Sequence, residues 1–363
     1  MNVSFWEGKK VFLTGHTGFK GSWLSTWLLE LGAEVIGLSL PPNTQPALFE
    51  QLELDKHLTH HLGDIRDANL VSRLIQESQP DIVFHLAAQP LVRLSYVEPV
   101  ETWNANVMGT IHVLEALRKI NHPCVGIFIT TDKCYENREW VYGYRENDHL
   151  GGRDPYSSSK AGAELAIASW RNSFFSDSKC PVKIASVRAG NVIGGGDWAK
   201  DRIVPDAIRS LQKKEKIPVR NPQATRPWQH VLEPLSGYLL LAEEIYQALT
   251  KHNLERLTQL CTAFNFGPLL SSNRTVEDLV LEILCHWPGN WQDQSDPNAP
   301  HEAGLLNLVT DKAYHQLGWQ PRWNFETTIK RTVNWYYQTF EDPSTTPANV
   351  LADIVAYSQA LIQ

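Results

Sequence analysis

Apolar residues in this chain come in short unbroken runs rather than in strict alternation. Val11-Phe12-Leu13, Val35-Ile36-Gly37-Leu38, Ile82-Val83-Phe84 and Cys124-Val125-Gly126-Ile127-Phe128-Ile129 are each bounded by polar or turn residues. Runs of this length with no polar face predict strands buried on both sides, as in a parallel sheet. The stretches between them read as helices: Ser22–Leu29, and an amphipathic segment opening at Asn106 and running through Leu117. A further strand is expected over Val182–Arg188, and another near Ala263–Gly267. Alternating strands and helices predict an α/β fold. No internal repeat is evident.

The turn between the first strand and the first helix carries the first chemical signal. It reads Gly15-His16-Thr17-Gly18-Phe19-Lys20-Gly21. A glycine turn placed there lets a pyrophosphate approach backbone at the helix N-terminus, where unpaired N–H groups and the helix dipole favour anions. Gly15, Thr17, Gly18, Phe19 and Gly21 are therefore expected to touch a dinucleotide. The second strand ends at Ser39, where an acid would hold a ribose hydroxyl and an arginine a 2′-phosphate. Neither is present. NAD is the expected cofactor, and NADP stays open because Lys20 and His16 could neutralise a 2′-phosphate. Asp64 and Ile65 suit an adenine, while Asp67 reads equally as a helix cap. Leu86, Ala87 and Ala88 at the fourth strand end leave room for a ribose or nicotinamide. His85 reads as a buried, satisfied histidine, and Asn106 as a brace for the sheet edge or as helix surface.

The strand Cys124–Ile129 empties into Thr130-Thr131-Asp132-Lys133, and Tyr156 and Lys160 follow four residues apart on one helical face. A tyrosine hydroxyl has a pKa of about 10, and a nearby ammonium lowers it. With Thr131 orienting a substrate alcohol, this pair could take a proton from a secondary alcohol as a hydride leaves it.

Composition limits the partners. The formal charge of the 363-residue chain is −7, which argues against nucleic acid. The five cysteines are scattered, with no Cys-x-x-Cys, so neither a disulfide framework nor a metal site is expected. Asn2-Val3-Ser4 leads directly to charged Glu7-Gly8-Lys9-Lys10, and no apolar run approaches a membrane span. A cytoplasmic enzyme with no membrane partner is the expectation.

The motifs Gly15-x-x-Gly18-x-x-Gly21, Asp64-Ile65, Leu86-Ala87-Ala88, Asn106-x-x-Gly109-Thr110 and Tyr156-x-x-x-Lys160, in this order, resemble the extended short-chain dehydrogenase/reductase family. The resemblance implies a doubly wound Rossmann-type parallel sheet that binds NAD(P), with a smaller, interleaved α/β lobe for a nucleotide-sugar. The expected division is 1–188 for the cofactor domain, with the strand near 262–267 returning to it. Residues 189–261 and 268–340 would form the substrate lobe, and 341–363 a C-terminal tail or helix. A homodimer, formed through the helix after Asn106 and the helix of Tyr156, or a tetramer, is also implied.

Within that family Thr131-Asp132-Lys133 resembles the sugar-nucleotide 4,6-dehydratases, where Thr-Asp-Glu commonly stands. The resemblance implies oxidation at C4, loss of the C5 proton, departure of the C6 hydroxyl as water, and return of the hydride to C6. Asp132 would be the acid for the C6 oxygen. Lys133 departs from the pattern: neutral, it could be the C5 base; charged, it could stabilise an enolate while another group takes the proton. CDP-glucose, or another nucleotide-sugar, is the implied substrate. Gln89, Arg93, Asn191, Arg202 and Arg226 are the implied substrate contacts, the arginines because their planar forks grip phosphate. An epimerase would not need Asp132 and Lys133, and a non-catalytic NAD(H) sensor would not need Thr131, Tyr156 and Lys160. The glycine-rich loop through Gly194-Gly195-Gly196 either closes over a ligand or turns a corner. Thr275 is expected to cap a helix, Gly289–Ala303 to be loop, and most of the thirteen tryptophans to serve packing.

Overall fold

The structure, a computed structural model, describes residues 3–295 and 304–362. Its centre is a sheet of seven strands. They are β1 (Lys10–Thr14), β2 (Glu34–Ser39), β3 (Thr59–Leu62), β4 (Ile82–His85), β5 (Cys124–Ile129), β6 (Val182–Ala189) and β7 (Ala263–Phe266). All six pairings are parallel. The spatial order is β7-β6-β5-β4-β1-β2-β3. The order reverses between β1 and β4, so a ligand crevice opens beyond their carboxyl ends.

The helices that position the site are α1 (Phe19–Glu30), α2 (Ala68–Ser78), α3 (Gly109–Leu117), α4 (Pro155–Phe174), α5 (Ile203–Gln212), α6 (Leu232–Thr250), α7 (Phe325–Glu341) and α8 (Thr346–Ile362). Two cores explain the apolar runs. Val11, Leu13, Val125 and Ile127 face one side, with Trp23, Leu28 and Leu235. Phe12, Val83 and Phe128 face the other, with Val71, Val113, Leu114 and Ile167. Strands covered on both faces have no position for a polar stripe. Asp67 caps α2 by accepting from Asn69 N and Leu70 N, and Thr275 closes a capping box with Asp278.

The second lobe is built from short ladders. Val192–Ile193 pairs with Gln229–His230, Thr225–Pro227 with Asn273–Thr275, and Ile217–Val219 with Trp291–Asp293. The last pairing puts a strand inside the stretch 289–303 read as loop; residues 296–303 lie outside the described residues. Helix α6, placed by the expected division in the substrate lobe, packs on β5 and β6. Of the tail or helix expected at the C-terminus, the structure has the helix: α8 is docked by the Tyr357 hydroxyl, which donates to Glu233 at 2.5 Å, and the Tyr357 ring lies 5.9 Å from that of Trp27. The loop at Gly194–Gly196 turns a buried corner, with Trp23 Nε1 donating to the Gly195 carbonyl at 2.9 Å. Trp6, Trp23, Trp27 and Trp335 are fully buried, as packing requires.

Candidate active site

The glycine turn fits a dinucleotide. Gly15 has φ +79°, and a Cβ there would lie 2.7 Å from Ala87 N, so β1 and the β4 exit approach backbone to backbone. A Cβ on Gly21 would lie 2.1 Å from the Gly15 carbonyl, which seats α1 directly on the turn. Gly18 caps α1 and is exposed, beside first-turn N–H groups that have no partner within the helix. Ser39 Oγ and Thr17 Oγ1 are 2.7 Å apart, and Thr17 donates to the Leu40 carbonyl at 2.9 Å. Asp64 is held by Arg66, accepting from its backbone N at 2.8 Å and its Nη2 at 2.6 Å. Ile65 packs on Gly109, and Ala87 N donates to the Thr14 hydroxyl oxygen at 3.2 Å.

Two expectations about this turn are corrected. His16 does not face the ribose: it is fully buried, with Nε2 2.7 Å from His60 Nδ1, and burial pushes its pKa down to about 3. Lys20 lies within electrostatic reach of the catalytic side. Burial lowers it to about 8, Arg202 and Lys160 repel it, and Asp132 attracts it. Sequence reading missed this role; the signal available was a lysine in the first turn of a helix that otherwise faces the core.

Asn106 is a brace. Its Oδ1 accepts from Gln89 N at 2.8 Å, and its Nδ2 donates to Gln89 O at 3.1 Å and Ser159 Oγ at 2.9 Å, tying the β4 exit to α4. The Gln89 side chain is turned inward: its Nε2 donates to Leu91 O and Thr102 Oγ1, and its Oε1 accepts from Leu91 N. That geometry does not present it to a substrate. His85 is satisfied between Thr14 Oγ1, 2.8 Å away, and Thr110 Oγ1, 3.1 Å away.

Helix α4 begins with Pro155 after Asp154, which accepts from Ser157 N, and Ser95 Oγ receives Tyr156 N at 3.1 Å. This sets Tyr156 and Lys160 on the face toward β5, both buried. Lys160 Nζ donates to the Ile129 carbonyl at 3.4 Å. Burial drives the two in opposite directions, the hydroxyl up to about 12 and the ammonium down to about 8. The groups that favour the phenolate are the Thr131 hydroxyl, which bonds to Tyr156, and the charge of Arg202. Burial decides the Tyr156 hydroxyl, and Lys160, expected to lower it, is not among the groups that act on it most strongly.

Thr131 caps the turn Asp132–Cys134, accepting from Lys133 N and donating to Asp132 Oδ1 at 3.0 Å. Asp132 is 3 % exposed, and burial raises its pKa, opposed by Lys133, Thr131, Arg226 and Lys20. Arg226, on Thr225–Pro227, is therefore on the acid's side of the site, with Asn191 one residue past Gly190. Arg202 Nη1 donates to Asp197 Oδ2 at 2.7 Å just before α5. Arg93 stands farther out, exposed, 3.6 Å from Asp201. Thr130 turns away from the crevice to donate to Glu164 Oε1 at 2.5 Å.

The sequence profile of the GDP-mannose 4,6 dehydratase family matches residues 12–332. The CDP-glucose 4,6-dehydratase of Salmonella typhimurium is 50% identical over 341 residues, 93% of this chain and 92% of that protein. The dTDP-glucose 4,6-dehydratase of Bacillus anthracis, solved in complex with NAD, superposes with a TM-score of 0.74 at 20% identity, covering 92% of this chain and 98% of that one. The dTDP-glucose 4,6-dehydratase of Streptomyces venezuelae, solved with NAD and TYD bound, gives 0.75 at 22% identity, covering 91% and 97%. At these identities the two structures bear on the fold alone.

Proposed function

We propose, for a chain that belongs to the GDP-mannose 4,6 dehydratase family, that it is an NAD-dependent CDP-glucose 4,6-dehydratase, converting CDP-glucose to CDP-4-keto-6-deoxyglucose and water. The observation that carries this reading is the buried acid of the Thr131-Asp132-Lys133 turn beside Tyr156, joined to half-identity with a relative bearing that activity in its name. An epimerase has no use for a proton donor at the C6 oxygen.

Gly15, Thr17, Gly18, Phe19, Gly21, Ser39, Asp64, Ile65, Leu86, Ala87 and Ala88 would hold NAD along the β1–β4 crevice. Bound there, the nicotinamide supplies a reversible hydride acceptor and a positive charge that favours the Tyr156 phenolate. Tyr156 takes the proton from the C4 hydroxyl, with Thr131 orienting that oxygen and Lys160 keeping positive charge close; because C4 stays a ketone in the product, that proton passes to solvent, and Asp132 regains from solvent the one it spends at C6. Asp132, whose carboxyl burial pushes toward the protonated form, gives its proton to the C6 hydroxyl as water departs. Lys133 receives the C5 proton, made acidic by the C4 ketone, exchanges it with solvent and delivers a solvent-derived proton to C5. Arg202, Arg226 and Asn191 take the diphosphate and sugar side, and Arg93 the rim.

Cytoplasmic placement is supported by the cysteines, all unpaired among the described residues. No helix of the described residues is long and apolar enough to cross a membrane. A homodimer through α3 and α4 is supported by exposed Met108, Leu165 and Phe174 and nearby Trp103; a tetramer would add a second interface. The test is a substrate panel: purified protein with NAD against CDP-, UDP-, dTDP- and GDP-sugars, read by mass for loss of one water. Turnover of CDP-glucose above the others supports the reading, and turnover of another sugar nucleotide alone replaces it.

A further inference from the structure

Glu164 lies four residues beyond Lys160 on the same face of α4 and is 2 % exposed. Its Oε1 accepts from Thr130 Oγ1 at 2.5 Å, and its Oε2 accepts from Ser186 Oγ at 2.9 Å and Arg188 Nη2 at 2.7 Å. Arg188, 3 % exposed on β6, also donates through Nη1 to the Tyr135 hydroxyl at 2.7 Å and to the Glu146 carbonyl at 3.0 Å. Its guanidinium sits 4.9 Å from the centre of the Tyr135 ring. The Tyr135 hydroxyl in turn donates to Asn265 Oδ1 on β7 at 2.7 Å.

Thr130 is the residue immediately before the Thr131-Asp132-Lys133 triplet, and Tyr135 is the second residue after it. One buried ion pair therefore holds both ends of the catalytic turn. Apart from the 3.0 Å bond from Thr131 Oγ1 to Asp132 Oδ1, the turn's own bonds are long: Lys133 N to Thr131 Oγ1, Cys134 N to Thr131 O and Tyr135 N to Asp132 O are each 3.3 Å. Bonds at that length are weak constraints on position. The short, charge-assisted contacts come from outside the turn. A buried ion pair is a poor source of net stability, since desolvation consumes most of its attraction. Its geometry here is spent on location.

We infer that the Glu164–Arg188 pair is a positioning device, fixing Asp132 and Lys133 against the substrate through Thr130 and Tyr135. The inference deepens the dehydratase reading and rests on it for the work of Asp132 and Lys133. Glu164 and Arg188 touch no reacting atom; both act through the turn.

Removing either charge would leave the other buried and unpaired, so the test uses the tethers. Thr130→Val and Tyr135→Phe each delete one hydroxyl, and Glu164→Asp keeps the charge but shortens its reach. Hydrogen exchange of the ligand-free protein is measured across residues 131–135, with kcat and KM for CDP-glucose measured alongside. The expected result is faster exchange confined to that segment and kcat lowered roughly tenfold or more, as a small misplacement of catalytic groups does, with KM and NAD binding unchanged. Unaltered exchange in both tether variants overturns the inference, as does full kcat with a loosened turn. If the wild type does not turn over CDP-glucose, the dehydratase reading fails, and the exchange data still decide whether the pair holds the turn.

Discussion

The carboxyl of Asp132 lies against the α-carbon of Gly190: a Cβ built on that glycine would come 2.8 Å from Asp132 Oδ2. The acid at the end of β5 thus occupies the space that a side chain on the β6 exit would fill. That space is buried, which is why the acid's pKa is raised. Gly190→Ala is expected to push the carboxyl off this seat while leaving Tyr156 and Lys160 in place. Elimination should slow by roughly a hundredfold, the cost of misplacing one reacting group, while oxidation at C4 continues. Stopped-flow detection of reduced cofactor building up before product forms would register it; equal slowing of both steps would not fit.

Tyr156→Phe removes the proton acceptor and keeps the ring that packs at the crevice. Turnover should drop by roughly two to four orders of magnitude, the range typical of a positioned acid–base group. NAD affinity, measured by calorimetry, should hold, because the contacts proposed for the dinucleotide lie on the glycine turn and the exits of β2, β3 and β4, away from the Tyr156 hydroxyl.

Asp132→Asn and Lys133→Met divide the elimination step between its two proton transfers. Asp132→Asn should still exchange the C5 proton with solvent deuterium but release product at least roughly a hundredfold more slowly. Lys133→Met should lose the C5 exchange itself. Deuterium incorporation followed by NMR distinguishes the two. Retained exchange in the Lys133 variant would remove that lysine from the C5 position.

Much of the fold was legible in the apolar runs, because strands covered on both faces carry no polar position: Cys124–Ile129 and Val182–Ala189 are buried throughout. The Tyr156/Lys160 face followed from spacing and residue type, while for Asn106 the sequence left brace and helix surface open and the bonds to Gln89 and Ser159 decide for the brace. What sequence reading missed was tertiary. Nothing local distinguishes a lysine facing the ribose from one within electrostatic reach of Asp132, as Lys20 is. Nothing in Glu164, Arg188 and Tyr135 announces that three separate segments converge on one ion pair. Gln89 has the polarity of a substrate contact, yet its amide is used up by Leu91 and Thr102.

The docking of α8 carries a pH dependence. Glu233 is buried in the first turn of α6 and accepts from Trp323 N, Arg322 N and the Tyr357 hydroxyl. Burial, opposed by those bonds, lifts its pKa from 4.5 to about 7. A raised folded pKa stabilises fully below the unfolded value and loses that contribution as pH rises through the folded one. The loss amounts to about 3 kcal/mol between pH 4.5 and 7. Glu233→Gln cannot ionise, so its melting temperature relative to wild type should climb across this window and level off above it. A difference that does not change with pH would contradict the assignment.

The central claim is that one site oxidises C4, eliminates water across C5 and C6 and reduces C6. It is tested most directly by incubating the protein with CDP-glucose in deuterated water, with and without added NAD, and reading the product by NMR. The account predicts a 4-keto-6-deoxy sugar with solvent deuterium at C5 and none at C6, since the hydrogen at C6 comes from C4 of the same molecule. A C4 epimer with the C6 oxygen retained, or deuterium at C6, would contradict it.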